Sequence, residues 1–151
     1  MAKHRVLCVD DDSGIRKLYQ NVLGTYGYHV SVASSGRQAM KMFLSRKVDA
    51  VLTDLEMPHM TGAELAKRLK HLRPQLPVLL VSGSKSALAA PPSDVDAAIA
   101  KGAPVSELAS QLERLIAERK RSDVSPRRLL PLGSILASIA LVAYAVPRLW
   151  R

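Results

Sequence analysis

Apolar residues along this chain fall into two patterns. Short apolar runs occupy residues 5–9, 28–33, 48–53, 78–81 and 95–100. Their length and their β-branched or alternating character predict five strands. The stretches between them carry apolar residues at three- and four-residue spacing, which predicts helices. A helix is expected from Ser13, taken as its N-cap, with Ile15, Leu18, Tyr19, Val22 and Leu23 on one face and Gly24 and Gly27 closing it. A second covers 35–46, with Ala39, Met40, Met42, Phe43 and Leu44, and a third covers 62–72. Residues 82–94 are small, polar and Pro-rich, with room for only a short helix before Pro91 and Pro92. The last predicted helix runs from Pro104 to about Arg119, with Val105, Leu108, Leu112, Leu115 and Ile116 on its apolar face.

Five strand–helix units in succession imply an α/β fold with a parallel sheet and helices on both faces. In such sheets ligands bind beyond the carboxyl ends of the strands. Asp10, Asp11, Asp54, Ser82 and Lys101 all stand at predicted carboxyl ends.

Beyond this domain, taken as residues 1–118, the pattern changes. Residues 119–128 are a polar, basic linker, and residues 129–147 contain no charged residue across 19 positions. A helix of that length spans about 28 Å, close to the hydrocarbon thickness of a bilayer. Trp150 follows it at an interfacial position. The near flank carries Arg119, Lys120, Arg121, Arg127 and Arg128, the far flank only Arg148 and Arg151. A single-pass C-terminal span in the inner membrane is therefore expected, with the domain facing the cytoplasm. The small-residue pairs Gly133/Ala137 and Ser134/Ser138 would suit pairing of two copies as a homodimer.

Charge supports the same division. The formal net charge is +9. Residues 1–117 hold 15 Lys/Arg against 11 Asp/Glu, and residues 118–151 hold 7 against 2. A basic segment suits nucleic acid or an anionic membrane surface. The apolar run that follows favours the membrane, and no helix-turn-helix is expected in the remaining residues, so nucleic acid is not an expected partner. Residues 1–5 run straight into the first strand, so no leader is expected. The lone Cys8 sits in an apolar run, which excludes an internal disulfide and suggests a small core residue. His4, His29, His59 and His71 are scattered, with no metal spacing, and are read as surface or loop residues.

The segments Val-Leu-Cys-Val-Asp-Asp-Asp at 6–12, Leu-Thr-Asp-Leu-Glu-Met-Pro-His-Met-Thr-Gly at 52–62 and Leu-Pro-Val-Leu-Leu-Val-Ser-Gly at 76–83, followed by Lys101, resemble the receiver domain of two-component response regulators. The resemblance covers residues 4 to about 118. It implies a doubly wound, flavodoxin-like sheet of order 2-1-3-4-5, with Asp54 accepting a phosphoryl group from a histidine kinase or phosphotransfer protein. It implies Mg²⁺ held by Asp10, Asp11, Asp54 and the backbone carbonyl of Glu56, with Ser82 and Lys101 contacting the phosphoryl oxygens. The residue types suit that chemistry. Asp54 is a carboxylate nucleophile. Two further carboxylates would repel it, and a hard divalent cation relieves that repulsion. Lys101 supplies a point charge and Ser82 a hydroxyl donor. Asp54 and Lys101 then carry the transfer, in a signalling domain that at most assists its own phosphorylation and dephosphorylation rather than an enzyme.

Three positions depart from the family pattern. Gly102 stands where a proline usually follows the lysine, and a non-proline cis bond costs about 3 kcal/mol, so no cis turn is expected. Ala98 stands where an aromatic residue often switches rotamer. Glu56, two residues past Asp54, projects near the site. The leading expectation is a membrane-anchored response regulator in a phosphorelay. A non-phosphorylated, membrane-tethered adaptor that keeps the fold, or a phosphate sink draining a kinase, are the alternatives.

Overall fold

Five parallel strands form one sheet in the order β2-β1-β3-β4-β5: β1 (Arg5–Val9), β2 (His29–Ala33), β3 (Ala50–Asp54), β4 (Val78–Ser82) and β5 (Ala97–Ala100). This is the doubly wound order that the sequence implied. Five helices connect and follow the strands: α1 (Ser13–Thr25), α2 (Gly36–Ser45), α3 (Gly62–Leu72), α4 (Lys85–Ala89) and α5 (Val105–Val124). The computed structural model describes residues 4–124.

The central strands β1, β3 and β4 are buried on both faces, as their continuous apolar runs require. Alternation along each strand divides the core in two. Leu7, Val9, Val51, Val78 and Leu80 meet Ala39 and Phe43 of α2 and Leu65, Ala66 and Leu69 of α3. Val6, Cys8, Leu52, Leu79, Val81 and Ile99 meet Leu23 of α1 and Leu108, Leu112, Leu115 and Ile116 of α5. Cys8 is fully buried, and burial pushes its thiol well above the ordinary range. It is a core residue.

Several boundaries differ from expectation, each for a local reason. The cap of α1 is Asp12 rather than Ser13: its carboxylate accepts from the N–H groups of Gly14 and Ile15, at 2.7 and 3.1 Å. Gly27 lies beyond α1 at φ 85°, a left-handed turn for which glycine is suited. Ser35, expected as the first residue of the second helix, is instead the cap of α2, its hydroxyl accepting from Gln38 N–H. Thr61 and Glu64 form a reciprocal capping box on α3, a device worth about 1 kcal/mol. β3 starts at Ala50, because Val48 and Asp49 turn their backbone carbonyls to Arg73 and Arg119. β5 starts at Ala97, because the Asp96 carboxylate accepts from Val78 N–H and pairs with Lys70.

Helix α5 continues to Val124, through the first part of the expected linker. Arg114 and Glu118 pair at i,i+4, and Arg119 reaches the carbonyl of Asp49. The compact unit extends to Arg121. Among the described residues no helix is long and apolar enough to cross a membrane. The apolar run at 129–147, its small-residue pairs and the linker beyond 124 lie outside the described residues.

Candidate functional site

Parallel topology brings the ends of β1, β3, β4 and β5 to one edge, and the polar residues gather there. Asp10 follows β1, Asp54 ends β3, Ser82 ends β4 and Lys101 follows β5. Asp10, Asp54 and Ser82 are buried, at 1%, 3% and 1% exposure, whereas Asp11 is exposed. Carboxylate oxygens of Asp10, Asp11 and Asp54 lie within 4.8 Å of one another. Lys101 Nζ donates to Asp54 Oδ2 at 2.8 Å, and its own N–H donates to the carbonyl of Ser82 at 2.9 Å. The loop after β5 is thereby laced to β4 and β3 together. Gly102, at φ 88°, makes the turn that lets the chain leave after Lys101.

Asp10, Asp11, Asp54 and Lys101 line a cavity of about 550 Å³. Asp10, Asp11, Asp12, Asp54, Glu56 and Lys101 form its polar wall, and Ile15, Leu18 and Tyr19 of α1 its apolar one. Ser82 is not among the residues that line it. Its hydroxyl oxygen accepts from Ser84 N–H at 2.9 Å, which leaves its proton available to a ligand oxygen. Ala98 is half-buried and packs against the α2/α3 side of the core. No aromatic ring stands there to change rotamer.

Three contributors were given no role in the site by the sequence reading. Arg16, one turn into α1, donates from Nη1 to the carbonyl of Asp10 at 2.7 Å and pins the Asp10–Asp11 turn. Thr53 is fully buried and donates from Oγ1 to the Asp54 carbonyl at 3.0 Å. Gly62 donates to Leu55 O at 2.9 Å, and the Asp54 carbonyl fills the space that a Cβ would need there. All three act on backbone near the two buried aspartates, through contacts that only the folded chain brings about.

The electrostatics are unbalanced. Asp12 N–H donates to Asp10 Oδ1 at 2.8 Å, but Asp10 Oδ2 is buried without a partner. Burial raises the Asp10 carboxyl above its usual range and the nearby Asp54 charge adds to this, while the Asp12 N–H bond opposes it. Burial, and then the Asp10 charge, push the Tyr19 phenol to about 12. The hydrogen bond to Asp54 raises Lys101. One ammonium faces three carboxylates, and one carboxylate oxygen has no donor. An all-oxygen donor set with an orphaned buried oxygen fits a hard divalent cation such as Mg²⁺.

That imbalance predicts a measurable exchange of stability for binding. Because the Asp10 pKa is raised by folding, the folded chain holds that proton more tightly than the unfolded chain does. The resulting stabilisation is complete below the unfolded carboxylate pKa of about 4 and is lost as pH rises through the folded value. Metal-free Asp10→Asn is therefore expected to melt a few degrees above wild type at neutral pH and to show no such gain at about pH 4. Added Mg²⁺ should raise the melting temperature of wild type and leave Asp10→Asn unmoved. Thermal unfolding across pH, with and without Mg²⁺, checks both halves. An Asp10→Asn protein that Mg²⁺ still stabilises would remove Asp10 from the metal set.

Comparison with known proteins agrees with this geometry. The profile of the response regulator receiver domain family matches residues 6–113. The response regulator MprA of Mycolicibacterium vanbaalenii is 35% identical over 82 residues, which cover 54% of this chain and 36% of that protein. The transcriptional regulatory protein ZraR of Escherichia coli strain K12 is 38% identical over 81 residues, 54% of this chain and 18% of its own. The chain thus matches only the smaller part of these relatives. Among solved structures, the response regulator TrrA of Thermotoga maritima, in complex with Mg(2+)-BeF, is 29% identical, covers 75% of this chain and 99% of its own, and superposes with a TM-score of 0.70. A CheY-like response regulator receiver domain protein from Methanospirillum hungatei is 26% identical, covers 79% and 98%, and has a TM-score of 0.71.

Proposed function

Because the chain belongs to the response regulator receiver domain family, the phosphoacceptor domains of two-component signalling, we propose that Asp54 is its acceptor and that it takes a phosphoryl group from a histidine kinase or phosphotransfer protein. The observation that carries this is the convergence of three carboxylates, one of them with an orphaned buried oxygen, on a single lysine at the carboxyl edge of the sheet. Asp10, Asp11 and Asp54 would hold Mg²⁺, with the carbonyl of Glu56, which lines the same cavity, completing the protein's share. The bound ion would supply charge neutralisation for phosphoryl oxygens that lie against these carboxylates.

The chain's own residues do the rest. A carboxylate oxygen of Asp54 forms a bond to phosphorus while the phosphorus–nitrogen bond of the donor phosphohistidine breaks, and the departing imidazole keeps the electron pair. Lys101, now on Asp54 Oδ2, follows the negative charge onto a phosphoryl oxygen. Ser82 donates its hydroxyl proton to another. Both residues are carried at strand ends and joined by the Lys101–Ser82 backbone bond, so their shift is coupled. Ala98 and Gly102 give the read-out face a different surface from one built on an aromatic switch.

We further propose that residues 129–147 anchor the domain to the inner membrane with the acceptor on the cytoplasmic side. The support is the uncharged run and its basic near flank. Tethered in this way, phosphorylated Asp54 would change protein contacts at the membrane face.

Incubation with acetyl phosphate and Mg²⁺ tests the acceptor. The expected result is a mass gain of one phosphoryl group, labile to hydroxylamine, that maps to Asp54 and is absent in Asp54→Asn. A folded protein that gains no mass from acetyl phosphate or from any phosphohistidine donor would overturn the reading. It would leave the non-phosphorylated adaptor in its place.

A further inference from the structure

The edge opposite the acceptor, where the strands begin, has its own chemistry. Arg5 and His29 start β1 and β2 side by side in register. Arg46 and Lys47 follow α2 and line one cavity with them. Arg73 caps α3 and donates to the carbonyl of Val48. Arg119 of α5 reaches the carbonyl of Asp49, and Lys120 lies 3.5 Å from the His4 ring. Arg5, His29, Arg46, Lys47, Lys120 and Arg121 are exposed. Of the acidic residues at this edge, Asp49 is matched to Arg5, Glu118 to Arg114, and Asp96, on the β5 side, to Lys70, while Asp94, also on the β5 side and beside Leu72, accepts from Ser93. The surplus is positive here and negative at the other edge, where Asp10, Asp11, Asp12, Asp54 and Glu56 gather.

Apolar residues follow the same division. Four large hydrophobic side chains are conspicuously exposed among the described residues: Leu18, Tyr26, Leu44 and Leu72. Leu44 (71% exposed) is next to last in α2, Leu72 (50%) ends α3 and Tyr26 (39%) caps α1. Each helix runs back from the carboxyl edge to the start of the next strand, so these three lie at the basic edge. Leu18 alone is elsewhere, in the wall of the acceptor cavity.

We infer that this edge, built on Arg46, Lys47, Lys120 and Arg121 with Tyr26, Leu44 and Leu72 among them, seats the domain on an anionic lipid surface, and so turns Asp54 away from the bilayer. The inference deepens the anchored reading above and rests on it for biological context. Charge complementarity identifies the occupant. Lysines and arginines near an anionic leaflet are attracted within about a Debye length, and the acidic edge is repelled. Exposed leucines and a tyrosine between basic residues suit a headgroup layer, where apolar atoms can be buried beside charged ones. Nucleic acid would use the cations and leave Leu44 and Leu72 in water. Helix α5 also delivers the chain to this edge at Lys120 and Arg121, ahead of Arg127, Arg128 and the uncharged run.

The test uses the full chain with a donor dye on a single introduced cysteine. Ser45→Cys marks the basic edge and Ser13→Cys the acidic one, and both serines are exposed. Cys8 is fully buried and does not compete for the dye. Energy transfer to acceptor-labelled lipid is read on phosphatidylcholine vesicles and on vesicles with phosphatidylglycerol added. On the anionic vesicles the Ser45 dye should transfer several-fold more than the Ser13 dye. The preference should fall to parity in high salt, or when Arg46→Glu and Lys47→Glu are combined, and should fall in part with Leu44→Ser. Parity on anionic vesicles, or an equal preference on neutral ones, overturns the inference. Flotation on neutral vesicles in high salt reports the anchor separately. Loss of that flotation with the anionic preference intact sinks the anchor alone, and flotation kept with parity sinks this inference alone. Retention of duplex DNA that the Arg46/Lys47 variant abolishes, without a lipid preference, reassigns the edge and overturns it as well.

Discussion

Gly62→Ala is expected to lose about 3 kcal/mol or more of stability and, in whatever fraction still folds, to take up phosphate from acetyl phosphate far more slowly than wild type. A Cβ at position 62 would fall inside the carbonyl oxygen of Asp54, at 2.9 Å from its carbonyl carbon and 3.1 Å from Leu80 Cδ1. Backbone and a fully buried leucine give way only if β3 or the start of α3 moves. Movement of β3 carries Asp54 with it. Movement of α3 breaks the Gly62 N–H bond to Leu55 O and the Thr61–Glu64 capping box. Either adjustment disturbs the β3–α3 junction on which the acceptor sits. Gly36→Ala is the matched control. There the added carbon meets the Met60 side chain, its nearest atom the sulfur at 2.5 Å, and methionine can swing aside. Its cost should be about 1 kcal/mol, with acceptor chemistry intact. Denaturant unfolding and phosphorylation rates measured on both variants decide the matter. A Gly62→Ala protein as stable and as reactive as wild type would mean that the contact between α3 and the Asp54 carbonyl does not set the site.

The difference between these glycines shows where sequence reading runs out. Strand ends were legible, because buried strands read as apolar runs and their last polar residues fall at one edge by topology alone. Asp10, Asp54, Ser82 and Lys101 were found in this way, and the structure brings them together. The sequence could not say which glycine touches the acceptor backbone, since that contact joins α3 to β3 through space. Arg16 was silent for the same reason: its target is a carbonyl six residues back and across a turn. The cap of α1 was misplaced by one residue, because Asp12 and Ser13 are both good caps and only geometry chooses between them. The start of β5 was set too early, because Val95 and Asp96 look like strand residues until Asp96 is seen holding Val78 and Lys70. Of the basic edge, only Arg119, Lys120 and Arg121 were singled out, as a membrane flank. Its members are spread from Arg5 to Arg121, and only the return of each helix to the starting edge collects them.

Lys101→Ala is expected to slow phosphorylation of Asp54 by about a hundredfold, a loss typical of removing one preorganised donor from a transition state. Its effect on stability should be smaller. Lys101 is the cation that contacts Asp54, at 2.8 Å, but its side chain is 45% exposed and screened by water, while the carboxylate is 2% exposed. Losing the lysine leaves the buried carboxylate short of one donor that water partly replaces, at a cost of about 1–2 kcal/mol without metal. Mg²⁺ should recover much of that loss by taking over the neutralisation, yet recover little of the rate, because the lysine acts on a phosphoryl oxygen rather than on the resting carboxylate alone. Lys101→Arg separates the two roles. A guanidinium can still answer the buried carboxylate, so stability should stay close to wild type. Its planar, longer fork does not put a compact charge where the ammonium stood, so the rate should remain well below wild type. Acetyl phosphate kinetics, together with melting curves with and without Mg²⁺, distinguish these outcomes. If Lys101→Ala were phosphorylated at the wild-type rate while melting lower, the lysine would be a counter-ion for a buried aspartate and nothing more. The transfer chemistry would then rest on the carboxylate cluster and the metal it holds.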